Sequence, residues 1–109
     1  MKALITHIIN SPLAAFHSEG LKVYPVLEKA FLKGEDLLVS FEGINRCTTQ
    51  FLNASVGKLY MKYDPRKLNS LISFADYSQI PHFSDKLEEV KSNAISSKEY
   101  DNLIESATS

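Results

Sequence analysis

The chain has 109 residues, no tryptophan, a single cysteine and only four glycines and four prolines. With Cys47 alone no internal disulfide can form, and a solitary thiol fits a reducing compartment. The four glycines form neither a GxGxxG nor a GxxxxGK[ST] loop, so neither device is present to cradle a nucleotide phosphate. There is no CxxC, no HExxH and no closely spaced His/Cys pair. His7, His17 and His82 therefore suggest no metal site, and no cofactor is expected. Neither sign of charge dominates: 12 Lys plus Arg against 13 Asp plus Glu leave −1, which argues against a nucleic-acid binder. No apolar run approaches the ~20 residues of a membrane span. Thr6 and His7 interrupt the apolar start Ala3-Leu4-Ile5 almost at once, so no targeting segment is expected and a soluble cytoplasmic protein is the reading.

What is present is an ordinary globular balance of 44% apolar and 23% charged residues, enough for one core without staples. The organisation expected is a domain over residues 1–95, followed by a short helix and fraying tail over 96–109. Lys2 to Ile9, rich in isoleucine, suits a strand, and Asn10-Ser11-Pro12 a turn. Leu13 to Phe16 fits a short strand or an extended connection. Ser18 is placed as the N-cap of a helix carrying Leu21, Tyr24, Leu27 and Phe31 up to Gly34, kinked or divided at Pro25. Asp36 to Phe41 is a continuous apolar run of the kind buried in a central parallel sheet. A second helix beginning at Thr48-Thr49 presents Leu52, Val56, Leu59 and Tyr63 on one face, and Gly57 within it signals close packing against a neighbour. Asp64-Pro65 caps the next turn, and Leu71 to Phe74 reads as a strand. Ser84-Asp85 starts a helix with Leu87, Val90 and Ala94 inward. Ser96-Ser97-Lys98-Glu99 is a capping box for a separate last helix, with Ile95 and Tyr100 as its staple.

The most specific stretch is Leu37-Leu38-Val39-Ser40-Phe41-Glu42-Gly43-Ile44, followed by Thr48-Thr49-Gln50-Phe51 and the helix to Tyr60. With Ser18-Glu19-Gly20 ahead of it, this segment resembles a STAS-like family of bacterial and phage proteins. That family is similar to STAS domains, named for sulphate transporters and anti-sigma-factor antagonists. The resemblance runs from about Ile5 to Ala94. It implies an α/β (α+β) fold with a small mixed central sheet and helices packed mainly on one face. It also implies a regulatory protein-interaction module rather than an enzyme. In the antagonists a hydroxyl at the strand–helix junction is phosphorylated by a histidine-kinase-like ATPase partner; Thr49 matches it by order in the motif, with Thr48 beside it. The chain departs from the patterns in having Cys47 for an Asp, Gln50 for a Gly and Ser40 for an Asp.

The chemistry open to that junction does not depend on the resemblance. A hydroxyl at a helix start can cap free amides, and a phosphate placed there meets the same amides and the positive dipole end, with Arg46 nearby. The commoner role of such a threonine is a plain cap worth ~1 kcal/mol. Helical periodicity turns Arg46, Thr48, Thr49, Gln50 and Asn53 outward as the partner-binding set. Cys47 is a candidate reactive thiol, since a cysteine before a helix can have a lowered pKa, although a buried apolar cysteine is the commoner case. Lys58, Lys62, Arg66 and Lys67 with Tyr60 and Tyr63 make a basic cluster, read as a solvated edge. The leading expectation is an adaptor for a protein partner. The alternatives are a thiol-reactive enzyme or sensor at Cys47 and a small-molecule or nucleotide-binding module. Self-association as a homodimer stays open at this level.

Overall fold

Leu37 to Ser40 form the central strand of the fold, and three of the four side chains are buried. In the computed structural model, backbone is described for residues 1–108 and side-chain surroundings for residues 1–98. The elements are β1 (Lys2–Leu4), α1 (Ile5–Ile9), β2 (Leu13–Ala14), α2 (His17–Leu32), β3 (Leu37–Ser40) and β4 (Arg46–Cys47), then α3 (Thr49–Leu52), a π-helical turn (Asn53–Gly57), α4 (Lys58–Lys62), α5 (Pro65–Leu71), β5 (Ile72–Ala75) and α6 (Phe83–Thr108). One sheet has the order β1-β3-β5, the other pairs β2 with β4, and every pairing is parallel. The α/β class expected from sequence is what the fold shows, but the mixed sheet expected with it is corrected, since every strand pair is parallel. Ala3, Leu37, Val39 and Ile72 are buried on one face of the first sheet, where Phe74 is half-buried. The row Lys2–Leu38–Ser73 on the other face is exposed or half-buried.

Parallel neighbours need long crossovers, which the helices supply. The strand expected over Lys2–Ile9 ends at Leu4. From there Ile5 and Ile9 are buried and Ile8 half-buried, a spacing that suits one helical face, and Asn10 closes the turn in the left-handed region at φ 54°. The β-propensity of isoleucine yields here to where the core lies.

Four further expectations are corrected in the helices. Helix α2 begins at His17, so Ser18 is not its cap; instead the Glu19 carboxylate accepts the Phe16 N–H at 3.2 Å. Its inward positions are Gly20, Val23, Tyr24, Leu27, Ala30 and Phe31, so Leu21 faces out and glycine takes the buried position beside it. The helix runs as one element through Pro25, which is exposed like Leu21, so the carbonyl that proline leaves without a partner lies on the solvent side. Helix α6 runs through Ser96-Ser97-Lys98 unbroken, so no separate helix starts there. The staple partner Tyr100 and the expected fraying tail lie outside the described side chains.

The other signals read as expected. Lys33 and Gly34 (φ 72°) stop α2, Asp64 accepts the Arg66 N–H with Pro65 opening α5, and Leu87, Val90 and Ala94 face inward from α6. Gly20 and Gly57 each sit at a close contact with a neighbouring helix. A Cβ at Gly20 would lie 2.4 Å from the Phe51 carbonyl oxygen and 2.7 Å from Ala54 Cβ. One at Gly57 would lie 3.0 Å from Val90 Cγ1 of α6.

Candidate functional site

The strand–helix junction is built by the second, two-stranded sheet. Leu13 pairs with Arg46 and Ala14 with Cys47, so alternation sends Ala14 and Cys47 into the core and Leu13 and Arg46 to solvent. Thr48 then locks the corner. Its N–H donates to the Ala14 carbonyl at 3.0 Å, and its hydroxyl donates to the Ala15 carbonyl at 2.6 Å while accepting the Phe51 N–H at 3.2 Å. Thr48 is thus the N-cap of a helical run that continues through α3, the π turn and α4 to Lys62. Ser55 within that run is fully buried and donates to the Phe51 carbonyl at 2.9 Å, the same oxygen against which Gly20 packs.

The two threonines therefore differ. Both functions of the Thr48 hydroxyl are used in the corner, whereas the Thr49 hydroxyl, half-buried one residue on, makes no hydrogen bond among the described residues. Of the five residues expected outward, Arg46, Gln50 and Asn53 are exposed, whereas Thr48 and Thr49 are half-buried. From α6, the Lys86 ammonium donates to the Cys47 carbonyl at 3.0 Å and brings a second cation to the junction. Exposed apolar side chains adjoin it: Phe16, directly after the Ala15 carbonyl that Thr48 holds, is 66% exposed, and Leu13 is 45% exposed.

The Cys47 side chain is fully buried, and desolvation pushes the thiol up to about 12 despite the nearby Lys86. A nucleophilic cysteine needs the opposite shift, so burial and desolvation both speak against a reactive thiol and place Cys47 as a small core side chain. His7, His17 and His82 are exposed, and no group of three His, Cys, Asp or Glu among the described residues is placed to hold a metal ion. No helix among the described residues is long and apolar enough to cross a membrane. A groove of about 450 Å³ lies at the far, N-terminal ends of β3 and β5, lined by Asp36, Leu37 and Asn69 to Ser73, away from the junction.

The family model for a STAS-like domain of unknown function matches residues 19–80, more than half of the sequence. The chain belongs to this STAS-like family. The match begins at Glu19, in the first turn of α2, and takes in β4 and the helical run from Thr48, while β2, Phe16 and Lys86 lie outside it. No curated protein and no solved structure matches the chain. STAS-like membership supports a regulatory module at the level of class.

Two features of this STAS-like chain escaped sequence reasoning. Ser40, fully buried at the end of β3, donates to Asp76 Oδ2 at 2.6 Å, and the Gln79 amide donates to the carbonyls of Phe41, Ile44 and Asp76. Together they tie the two loops at the C-terminal sheet edge. Elsewhere, Glu28 Oε2 accepts from Tyr24, from Tyr63 at 2.8 Å and from Lys62 at 3.1 Å. These three donors, Tyr24 first, hold the carboxyl down to about 2. Tyr24 rises to about 12, by burial and then by its bond to Glu28. Lys58, Lys62, Arg66 and Lys67 are exposed, the solvated edge expected, and Lys62 also joins this clamp; the Lys58 ammonium lies 4.5 Å from the Tyr24 ring centroid and that of Lys67 5.7 Å from Phe31. Only the i, i+4 spacing of Tyr24 and Glu28 hinted at it.

Proposed function

We propose that this chain is a regulatory protein-interaction module whose contact surface is the junction formed by Leu13, Phe16, Arg46, Thr49, Gln50 and Asn53. The observation that carries the reading is the exposure of Phe16 beside the rigid Thr48 corner. An aromatic side chain held at solvent next to cationic and amide groups has the composition of a recognition hot spot, with an apolar anchor and a polar rim. In this reading the chain acts by binding and catalyses no reaction of its own. The partner is a histidine-kinase-like ATPase, the class suggested by the resemblance to anti-sigma-factor antagonists. Thr49 is the switch, because its hydroxyl is uncommitted while that of Thr48 is consumed by the fold. A phosphate on Thr49 would meet the first amides of the helical run, with Arg46 and Lys86 as counter-charges.

Incubation with such an ATPase and ATP, followed by intact-mass measurement, tests the switch. Gain of one phosphate, lost in Thr49→Ala and retained in Arg46→Gln, is the expected result. No mass gain, with undiminished partner binding by Thr49→Ala, would remove the switch. Unchanged binding by Phe16→Ser would remove the surface.

A further inference from the structure

The sheet order leaves β5 at an edge. In the parallel register Leu37↔Ile72 through Ser40↔Ala75, the Phe41 N–H donates to the Ala75 carbonyl at 3.0 Å. The main-chain groups of Ser73 and Ala75 therefore face β3, and the Phe74 N–H and C=O face away from it, as does the Ile72 C=O. The planar peptide between Ala75 and Asp76 sends the Asp76 N–H outward as well. The Ile72 N–H is already spent on the Leu68 carbonyl of α5. Among the described residues no hydrogen bond reaches the other four groups. Past Asp76, at φ 61°, the chain turns to where the Gln79 amide ties it to the carbonyls of Phe41 and Ile44 beyond the end of β3. Nothing along Ile72-Ser73-Phe74-Ala75 protects it: there is no charge and no proline.

We propose that this edge pairs with β5 of a second copy of the chain, antiparallel about a two-fold axis at Phe74. The outward groups in chain order are acceptor (Ile72), donor and acceptor (Phe74), and donor (Asp76). That order is self-complementary under a two-fold operation. Phe74 exchanges two hydrogen bonds with its own symmetry mate, and each Asp76 N–H meets the other copy's Ile72 C=O. Ser73 then stands across from Ala75, two small side chains that leave the approach open, while Phe74 faces Phe74 as a cross-strand aromatic pair. The product is a continuous six-stranded sheet with the two junction surfaces outside the new interface. A peptide strand of another protein would meet the same main-chain groups, but the second copy also sets Phe74 against Phe74 and small residues against small residues by symmetry.

Sedimentation of the full chain across a concentration series, with amide exchange read residue by residue, tests this. The expected result is a reversible dimer of twice 12.2 kDa. In it the Phe74 and Asp76 amides are protected at high concentration and exchange rapidly on dilution, while Ser73 and Ala75 stay protected throughout. Ser73→Lys, at an exposed position, should weaken the dimer by roughly tenfold or more. A monomer at millimolar concentration would overturn the proposal. So would a dimer whose Phe74 and Asp76 amides exchange freely.

Discussion

Gly20 shows how one absent side chain sets the geometry of the junction. It lets α2 press against the Phe51 carbonyl, so the added Cβ in Gly20→Ala has backbone, not a yielding side-chain tip, in its way. That substitution should cost at least ~2 kcal/mol in urea unfolding. Gly57→Ala is tight only against Val90 Cγ1, a side-chain tip, and gains helix propensity, so it should stay within ~1 kcal/mol of neutral. The threonines should separate in the same assay. Thr48→Ala loses a cap and a bond to Ala15 and should cost about 1–2 kcal/mol, whereas Thr49→Ala should cost less than half of that. Cys47, buried and with its thiol raised to about 12, should resist alkylation at pH 8 in the native protein and react at once in denaturant. Rapid native labelling would contradict its place in the core.

Among the elements, the clamp between α2 and the end of α4 carries the clearest pH signature. Glu28 is lowered from 4.5 to about 2 in the folded chain, so its contribution is complete above pH 4.5 and is lost as pH falls towards 2. Glu28→Gln should remove that acid-side slope from a plot of stability against pH; an unchanged slope would mean that the clamp is not formed in solution. On the alkaline side the sign reverses. Cys47 rises from 9.0 to about 12 and Tyr24 from 10.0 to about 12, so the folded state keeps these protons longest, and stability should fall as pH climbs from 9 towards 12. Elements governed by local chemistry were legible: the apolar run of β3, the Asp64-Pro65 start and the Gly34 stop each follow from side chains within a few residues. Those decided by distant contacts were not. Isoleucines at 5, 8 and 9 suit strand and helix alike until the core is placed, and the capping box at Ser96 is overridden because α6 already lies packed through Ala94.

At the scale of the whole molecule, a pair of two-residue strands brings residues 13–16 to residues 46–50 and makes a surface from segments thirty residues apart. Half of that surface was legible: Gln50 and Asn53 follow from helical phase, and Arg46, expected outward with them, owes its exposure to the alternation of β4. Phe16 was not, because nothing local marks an aromatic residue as left outside the core. Neither was the difference between Thr48 and Thr49, which depends on the Ala15 carbonyl. The near-balanced charge of the sequence fits recognition through such a local surface better than through a global field. The central claim is that this junction is where a partner docks, and the affinity of a histidine-kinase-like ATPase for a set of variants tests it most directly. Phe16→Ser, Arg46→Glu and Thr49→Glu should each weaken binding by roughly tenfold or more with the fold intact by circular dichroism, while Lys67→Glu, on the solvated edge, should leave it unchanged. Equal affinities across the set, or a loss confined to Lys67→Glu, would contradict the account.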